Sequence, residues 1–234
     1  KKTHPDSIEI YHTYQKSTYP LVKIVLGKRK PRRVLISAGI HGDEPAGIET
    51  ILSFLENKHY SSYINNWEIT LLPCINPHGY EYGIRENHDE KDLNRLFKEA
   101  QSVAEVSFAQ SVLSTPFELT IELHEDNESS GYYLYQKGID VKDDKIGFEI
   151  IDAIKNIMPI NMDDEIDGTS ADRGVIGKAI DISKMDWWPM AIYGLSKGVE
   201  RCLTLESASK FDMAIRVDAH LTAIKTALNY YSNK

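Results

Sequence analysis

The chain has 234 residues, 41% hydrophobic and 26% charged, with 35 acidic side chains against 27 basic ones for a formal net charge of −8. That length supports one large domain with its own core, over residues 1–234, and the acidic balance argues against nucleic acid, whose phosphates would be repelled on average. Two cysteines make no disulfide framework and suit free thiols in a reducing compartment; no apolar run approaches the ~18 residues of a membrane helix, and the opening KKTHPDSIEIY has no signal-peptide core, so a cytoplasmic protein with no membrane partner is expected.

In chain order, residues 21–28 (LVKIVLGK) read as a strand and 33–40 as a second, more apolar and central one. From Pro45, the residues Ile48, Ile51, Leu52 and Leu55 recur at helical spacing, and proline suits a first helical turn. Residues 67–76 read as another central strand, 96–114 as a helix, 117–125 as a strand, 132–136 as an extended segment and 145–157 as a helix. A strand at 199–207 and a helix at 212–231 close the chain. Cys74 and Cys202 each fall in an apolar stretch, and the two strands are expected to be neighbours. Strands alternating with helices predict an α/β fold with a largely parallel sheet.

The chemistry sits at the carboxyl ends of the strands. The strand at 33–40 runs into His41, Asp43 and Glu44; that at 67–76 into NPHGYEYGIREN; that at 117–125 delivers His124; that at 199–207 delivers Glu206. Ligands of open α/β sheets bind outside the carboxyl ends of the strands, so these residues are expected at one edge. His41-x-x-Glu44 alone is a weak signal, because His78-x-x-Glu81 repeats its spacing. With His124 it becomes a set of two histidines and one carboxylate, a donor set known for catalytic zinc. The competing reading is a hydrogen-bonded histidine in a turn and another capping a strand.

The segments GIHGDEPAG, INPHGYEYGIREN, DLNRLF, IELHE and CLTLES, in this order, resemble the zinc carboxypeptidase family together with its aspartoacylase and succinylglutamate desuccinylase branch. The resemblance runs from about residue 33 to 210. It implies a three-layer α/β/α sandwich around a mixed, mostly parallel sheet, and one zinc ion held by His41, Glu44 and His124. It implies Glu206 as general base, Arg85 as the arginine that steadies the oxyanion, and Asn94 with Arg95 as the pair gripping a substrate carboxylate. Arginine suits that last task because its planar fork pairs bidentately with carboxylate. Asp92 and Glu122 are expected behind these groups, since metal-bound histidines usually donate their other N–H to an acceptor; Glu122 shares a strand face with His124.

Three departures stand out. His78 occupies a position where the peptidase branch usually has aspartate, and is read as a structural substitute. Glu125, Asp126 and Glu128 crowd acid after His124; they read as a solvated loop, or else as selectors of a positively charged substrate. The tyrosine that many family peptidases place before the general base has Tyr193 as its counterpart only by elimination, and Tyr193 is expected to pack a helix. The stretch 160–192 has little periodicity and is expected to wall the substrate pocket, with Arg173 as an additional anion contact.

The implied activity is hydrolysis of an amide next to a free carboxylate, on a small peptide or an N-acyl amino acid. Peptides are favoured, because typical deacylases carry an extra β domain and a single helix comes after residue 210. A binding module that kept the fold without the chemistry is the remaining alternative. A flavodoxin-like domain is disfavoured, since no strand leads into a glycine-rich phosphate loop.

Overall fold

The structure is a computed structural model that describes residues 6–12, 19–100, 102–138, 145–177 and 181–232. The first residues of the amino-terminal stretch, and 178–180 within the expected pocket wall, lie outside the described residues.

Ten strands and six α-helices are described. In chain order they are β1 (Ser7–His12), β2 (Pro20–Leu26), β3 (Arg32–Ala38), α1 (Pro45–Glu56), β4 (Trp67–Leu72), α2 (Pro77–Tyr82), α3 (Ala104–Leu113), β5 (Leu119–Asp126), β6 (Tyr133–Gly138), α4 (Ile146–Ile154), β7 (Glu165–Ile166), β8 (Thr169–Ser170), β9 (Val175–Ile176), α5 (Met190–Ser196), β10 (Arg201–Ala208) and α6 (Met213–Ser232). Eight strands form one sheet in the order β1-β2-β4-β3-β5-β10-β6-β9. Its centre, β4-β3-β5-β10, is parallel, while β1, β2 and β6 join antiparallel to their inner neighbours. The expected mixed, mostly parallel sheet is therefore present.

Side-chain alternation builds the three layers. In β3, Val34, Ile36 and Ala38 pack with residues of α1, α4 and α6, whereas Leu35 packs on the opposite face with α3 and α5. In β10, Leu203 and Leu205 join the first cluster and Cys202 the second. Because both faces are covered, the central strands read as near-continuous apolar runs.

Several expectations need correction. The helix expected at 96–114 spans only Ala104–Leu113. Upstream, Leu93–Arg95 form one 3-10 turn, Leu96 bridges to Trp188, and the Phe97 amide donates to the Trp188 carbonyl at 3.2 Å. Tertiary pairing has claimed residues whose spacing alone suits a helix. On α1, Leu52 is exposed and Phe54 is buried in its place. Cys74 and Cys202 are free thiols, as expected, but β3 and β5 separate their strands. The irregular stretch 160–192 contains a β7–β8 hairpin, whose two-residue turn places Asp167 and Gly168 at positive φ; Asp-Gly is a favoured pair for such a turn. Among the described residues, no helix is long and apolar enough to cross a membrane.

Candidate metal centre

The four parallel strands deliver their carboxyl ends to one edge of the sheet, and the site is assembled there. After β3, Gly39 turns the chain at φ 63°, and the segment Ile40–Asp43 leads to Glu44, the residue preceding α1. His124 lies near the end of β5, whose neighbour β10 places Glu206 directly opposite it in register. Tyr133 of β6 is opposite Glu206 on the other side. In-register neighbours on paired strands point to the same face, so His124, Glu206 and Tyr133 form one row across three strands.

His41, Glu44 and His124 are buried and each offers a ligand atom within 4.8 Å of the others; this is the one such group among the described residues. The Glu44 carboxylate sits between the imidazoles, with Oε1 2.6 Å from His41 Nδ1 and Oε2 2.9 Å from His124 Nδ1. Burial alone raises the Glu44 carboxyl, but His124 and His41 more than offset it and bring it down to about 2. His41 presents its other nitrogen, Nε2, to Asp92 Oδ1 at 3.2 Å. Asp92 Oδ2 accepts from Arg85 Nε at 3.1 Å, and Arg85 Nη1 reaches Glu44 Oε1 at 3.5 Å. One carboxylate therefore orients both a candidate ligand and the candidate oxyanion arginine. Burial disfavours its charge, yet His41, Arg85 and Arg95 hold it below the usual carboxylate range.

These residues fit a zinc ion on their own chemistry. Two imidazole nitrogens and a carboxylate oxygen are ordinary zinc donors, they converge, and His41 has the carboxylate behind it that metal-bound histidines usually have. His124 has a weaker counterpart: Glu122 Oε2 lies 4.0 Å from its Nε2. Glu122 is deeply buried, its Oε1 has no hydrogen-bond partner among the described residues, and burial pushes its carboxyl up to about 8.

Around this cluster stand the other expected site residues. Burial, followed by the nearby Glu44 and Asp126 carboxylates, raises Glu206 well above the usual carboxylate range, while Arg85 opposes this. Asn94 is buried and its Oδ1 accepts the Met190 amide at 2.9 Å. Arg95 is half-exposed, with its guanidinium stacked 3.9 Å from the Trp187 ring centre. His78 is not part of the convergent group; its ring packs against Tyr82, with centroids 4.8 Å apart. Tyr193 packs on Phe97 with centroids 5.8 Å apart. Arg173 stacks on Phe148 of α4 and pairs with Asp172, away from the convergent cluster.

In the acidic stretch after His124, Glu128 is exposed, as the solvated-loop reading expects, whereas Glu125 and Asp126 differ from both readings. Glu125 is buried, accepts the Ala46 amide at 2.6 Å through Oε1 and pairs through Oε2 with Arg216 of α6. Asp126 accepts the amides of Glu128 and Ser129 and the Tyr133 hydroxyl. Neither carboxylate is left to solvate a loop or to select a cation.

Sequence reasoning also missed Asn76, which is fully buried. Its Oδ1 accepts the Gly79 amide at the start of α2, and its Nδ2 donates to the Arg85 carbonyl at 3.1 Å. The signal was available: Asn before proline is a helix-start pattern. His220 of α6 was missed as well. Its Nε2 donates to the His124 carbonyl at 3.1 Å and its Nδ1 accepts the Tyr132 hydroxyl at 3.0 Å. Burial holds this imidazole neutral, with its pKa down at about 3.

The chain shares 30% identity with carboxypeptidase E of Caenorhabditis elegans over a 119-residue alignment, covering 42% of this chain and 25% of that protein, so it spans about a quarter of that curated relative. A candidate metallopeptidase from Shewanella amazonensis superposes with a TM-score of 0.81 at 23% identity, over 95% of this chain and 86% of its own. The metallo-carboxypeptidase from Burkholderia cenocepacia gives 0.72 at 16% identity, over 99% and 66%. The tripeptide-bound cell shape determinant Csd4 of Helicobacter pylori gives 0.63 at 16%, over 89% and 54%. These solved structures show that the fold is shared. Residues 30–176 match the succinylglutamate desuccinylase/aspartoacylase catalytic domain, and the chain belongs to that family.

Proposed function

We propose that the protein is a zinc-dependent hydrolase that cleaves an amide bond beside a free carboxylate, acting as a metallocarboxypeptidase on small peptides. The observation that carries this reading is the convergence of His41 and Glu44, after β3, with His124 of β5, their ligand atoms within 4.8 Å. Zinc bound there supplies a Lewis acid and lowers the pKa of water toward neutrality.

The chain's own residues do the remaining work. Glu206 accepts a proton from the attacking water at its carboxylate and returns it to the leaving nitrogen. Burial and the neighbouring carboxylates raise its pKa, which makes it a stronger base than an ordinary carboxylate. Arg85, held by Asp92, directs N–H groups toward the carbonyl oxygen as it gains negative charge, a contribution commonly worth a few kcal/mol of barrier. Arg95 grips the substrate carboxylate with a guanidinium plane fixed on Trp187. Asn94, whose Oδ1 is committed to Met190, contributes through its Nδ2. Glu122 steadies His124 from behind.

The peptide reading draws on the metallopeptidase and carboxypeptidase relatives. The family match over 30–176 favours a second substrate class, N-acyl amino acids, with the same residues in the same roles. Amino-acid release from a mixed peptide pool, measured beside release from N-acetyl and N-succinyl amino acids, separates them. Turnover of peptides, lost in Glu206→Gln, supports the first reading; turnover of N-acyl amino acids alone replaces it with the second. Full activity in Glu206→Gln rejects both.

A further inference from the structure

The closing helix α6 shows the site two polar side chains one turn apart, Arg216 and His220, on the same helix face. Each ends on a segment that carries a candidate metal ligand. Arg216 pairs with Glu125, and Glu125 ties two segments together: its carboxylate accepts the Ala46 amide at 2.6 Å, while its own amide donates to Glu44 Oε2 at 3.2 Å. His220 donates to the carbonyl of His124 at 3.1 Å and is fixed in turn by the Tyr132 hydroxyl at 3.0 Å. Glu125, His220 and Tyr132 are all buried.

We propose that Arg216, acting through Glu125, is a positioning residue that locks Glu44 and His124 into metal-binding geometry from behind. This rests on the reading of His41, Glu44 and His124 as the zinc ligands. Packing alone does not require such a device. Ala219, Ala223, Ile224, Ala227 and Leu228 already bury α6 against the sheet and its neighbouring helices. A buried ion pair is weak evidence for stability, because desolvation can consume its Coulombic gain; here its clearest consequence is geometric. Through Glu125 it fixes the first turn of α1, at whose start Glu44 lies, against the end of β5, where His124 lies. The third ligand, His41, is held separately, by Asp92. Groups behind metal ligands commonly account for about 10–100-fold in metal affinity.

The test measures zinc affinity by competition with a chromophoric chelator, beside the melting temperature of the metal-free protein. The informative variant is Arg216→Met combined with Glu125→Gln, which removes both charges yet keeps an acceptor for the Ala46 amide. Expected is a metal-free melting temperature within a few degrees of wild type and zinc binding at least about tenfold weaker, largely restored in Arg216→Lys with Glu125 intact. Should the double variant fail to fold, Glu125→Gln alone carries the same comparison. Zinc affinity within twofold of wild type overturns the proposal, as does a loss that Arg216→Lys does not recover. A wild-type chain that takes up no zinc overturns the metal reading and the clamp together. Tight, clamp-dependent zinc binding without amide hydrolysis overturns only the proposed activity.

Discussion

Replacing Gly42 by alanine tests whether the turn carrying His41 and Glu44 is built to a tight tolerance. A Cβ at position 42 would stand 1.9 Å from the Gly79 carbonyl carbon and 2.3 Å from both the Gly79 Cα and the Tyr80 amide nitrogen. All three are backbone atoms, so no rotamer change relieves the contact. Reaching ordinary van der Waals distance requires the turn and the start of α2 to part by about 1.5 Å. Metal–ligand distances tolerate only about 0.2 Å, so that displacement is several times what the site can absorb. The clash lies at the sheet's edge and leaves the two apolar clusters in place, so overpacking should cost about 1–3 kcal/mol, a fall of roughly 2–12 °C for a chain of this size. Zinc affinity should fall far more, on the order of 100-fold, by analogy with the cost of a 1 Å misplacement in an active site. Thermal melts of metal-free protein and chelator competition measure the two effects separately. A Gly42→Ala protein that binds zinc like wild type refutes the reasoning, and so does one that loses its fold.

The same geometry sets two further outcomes. Arg95→Lys replaces a planar fork on Trp187 with a point charge; KM for substrates with a free carboxylate should rise about tenfold with little change in kcat, and equal effects on carboxyl-amidated substrates would remove Arg95 from carboxylate recognition. Burial pushes the thiols of both Cys74 and Cys202 up to about 12 from an ordinary 9.0. Because the reactive species is the thiolate, raising the pKa lowers its population at pH 8, here by about a thousandfold. Native protein should therefore titrate with almost no thiol at pH 8 and with two in denaturant; rapid native reaction at either cysteine contradicts the burial.

The chemistry at the strand ends was legible because parallel sheets impose it. A strand buried on both faces reads as an apolar run, and the residues at or just beyond its end must appear at the carboxyl edge; His41, Glu44, His124 and Glu206 all obey that rule. Glu125 shows where such reading stops. Its partners, Ala46 and Arg216, lie 79 and 91 residues away, and the sequence around an acid at a strand end does not reveal a buried ion pair. Tyr133 is similar: only the register of β6 on β10 sets it opposite Glu206. The expected helix start at Leu96 and Phe97 failed for a different reason, since pairing with Trp188 overrode helical spacing. The Asp167–Gly168 turn, by contrast, announced itself in a dipeptide and was lost inside a segment read as irregular.

Metal content is the most direct measurement of the central claim. Purified protein, stripped with chelator and reloaded with one equivalent of zinc before gel filtration, should retain about one ion per chain, as expected of a catalytic site with three protein ligands. His41→Ala and His124→Ala, handled identically, should each retain less than a tenth of that. Wild-type protein that emerges free of zinc, or variants that hold as much as wild type, would contradict the shared site.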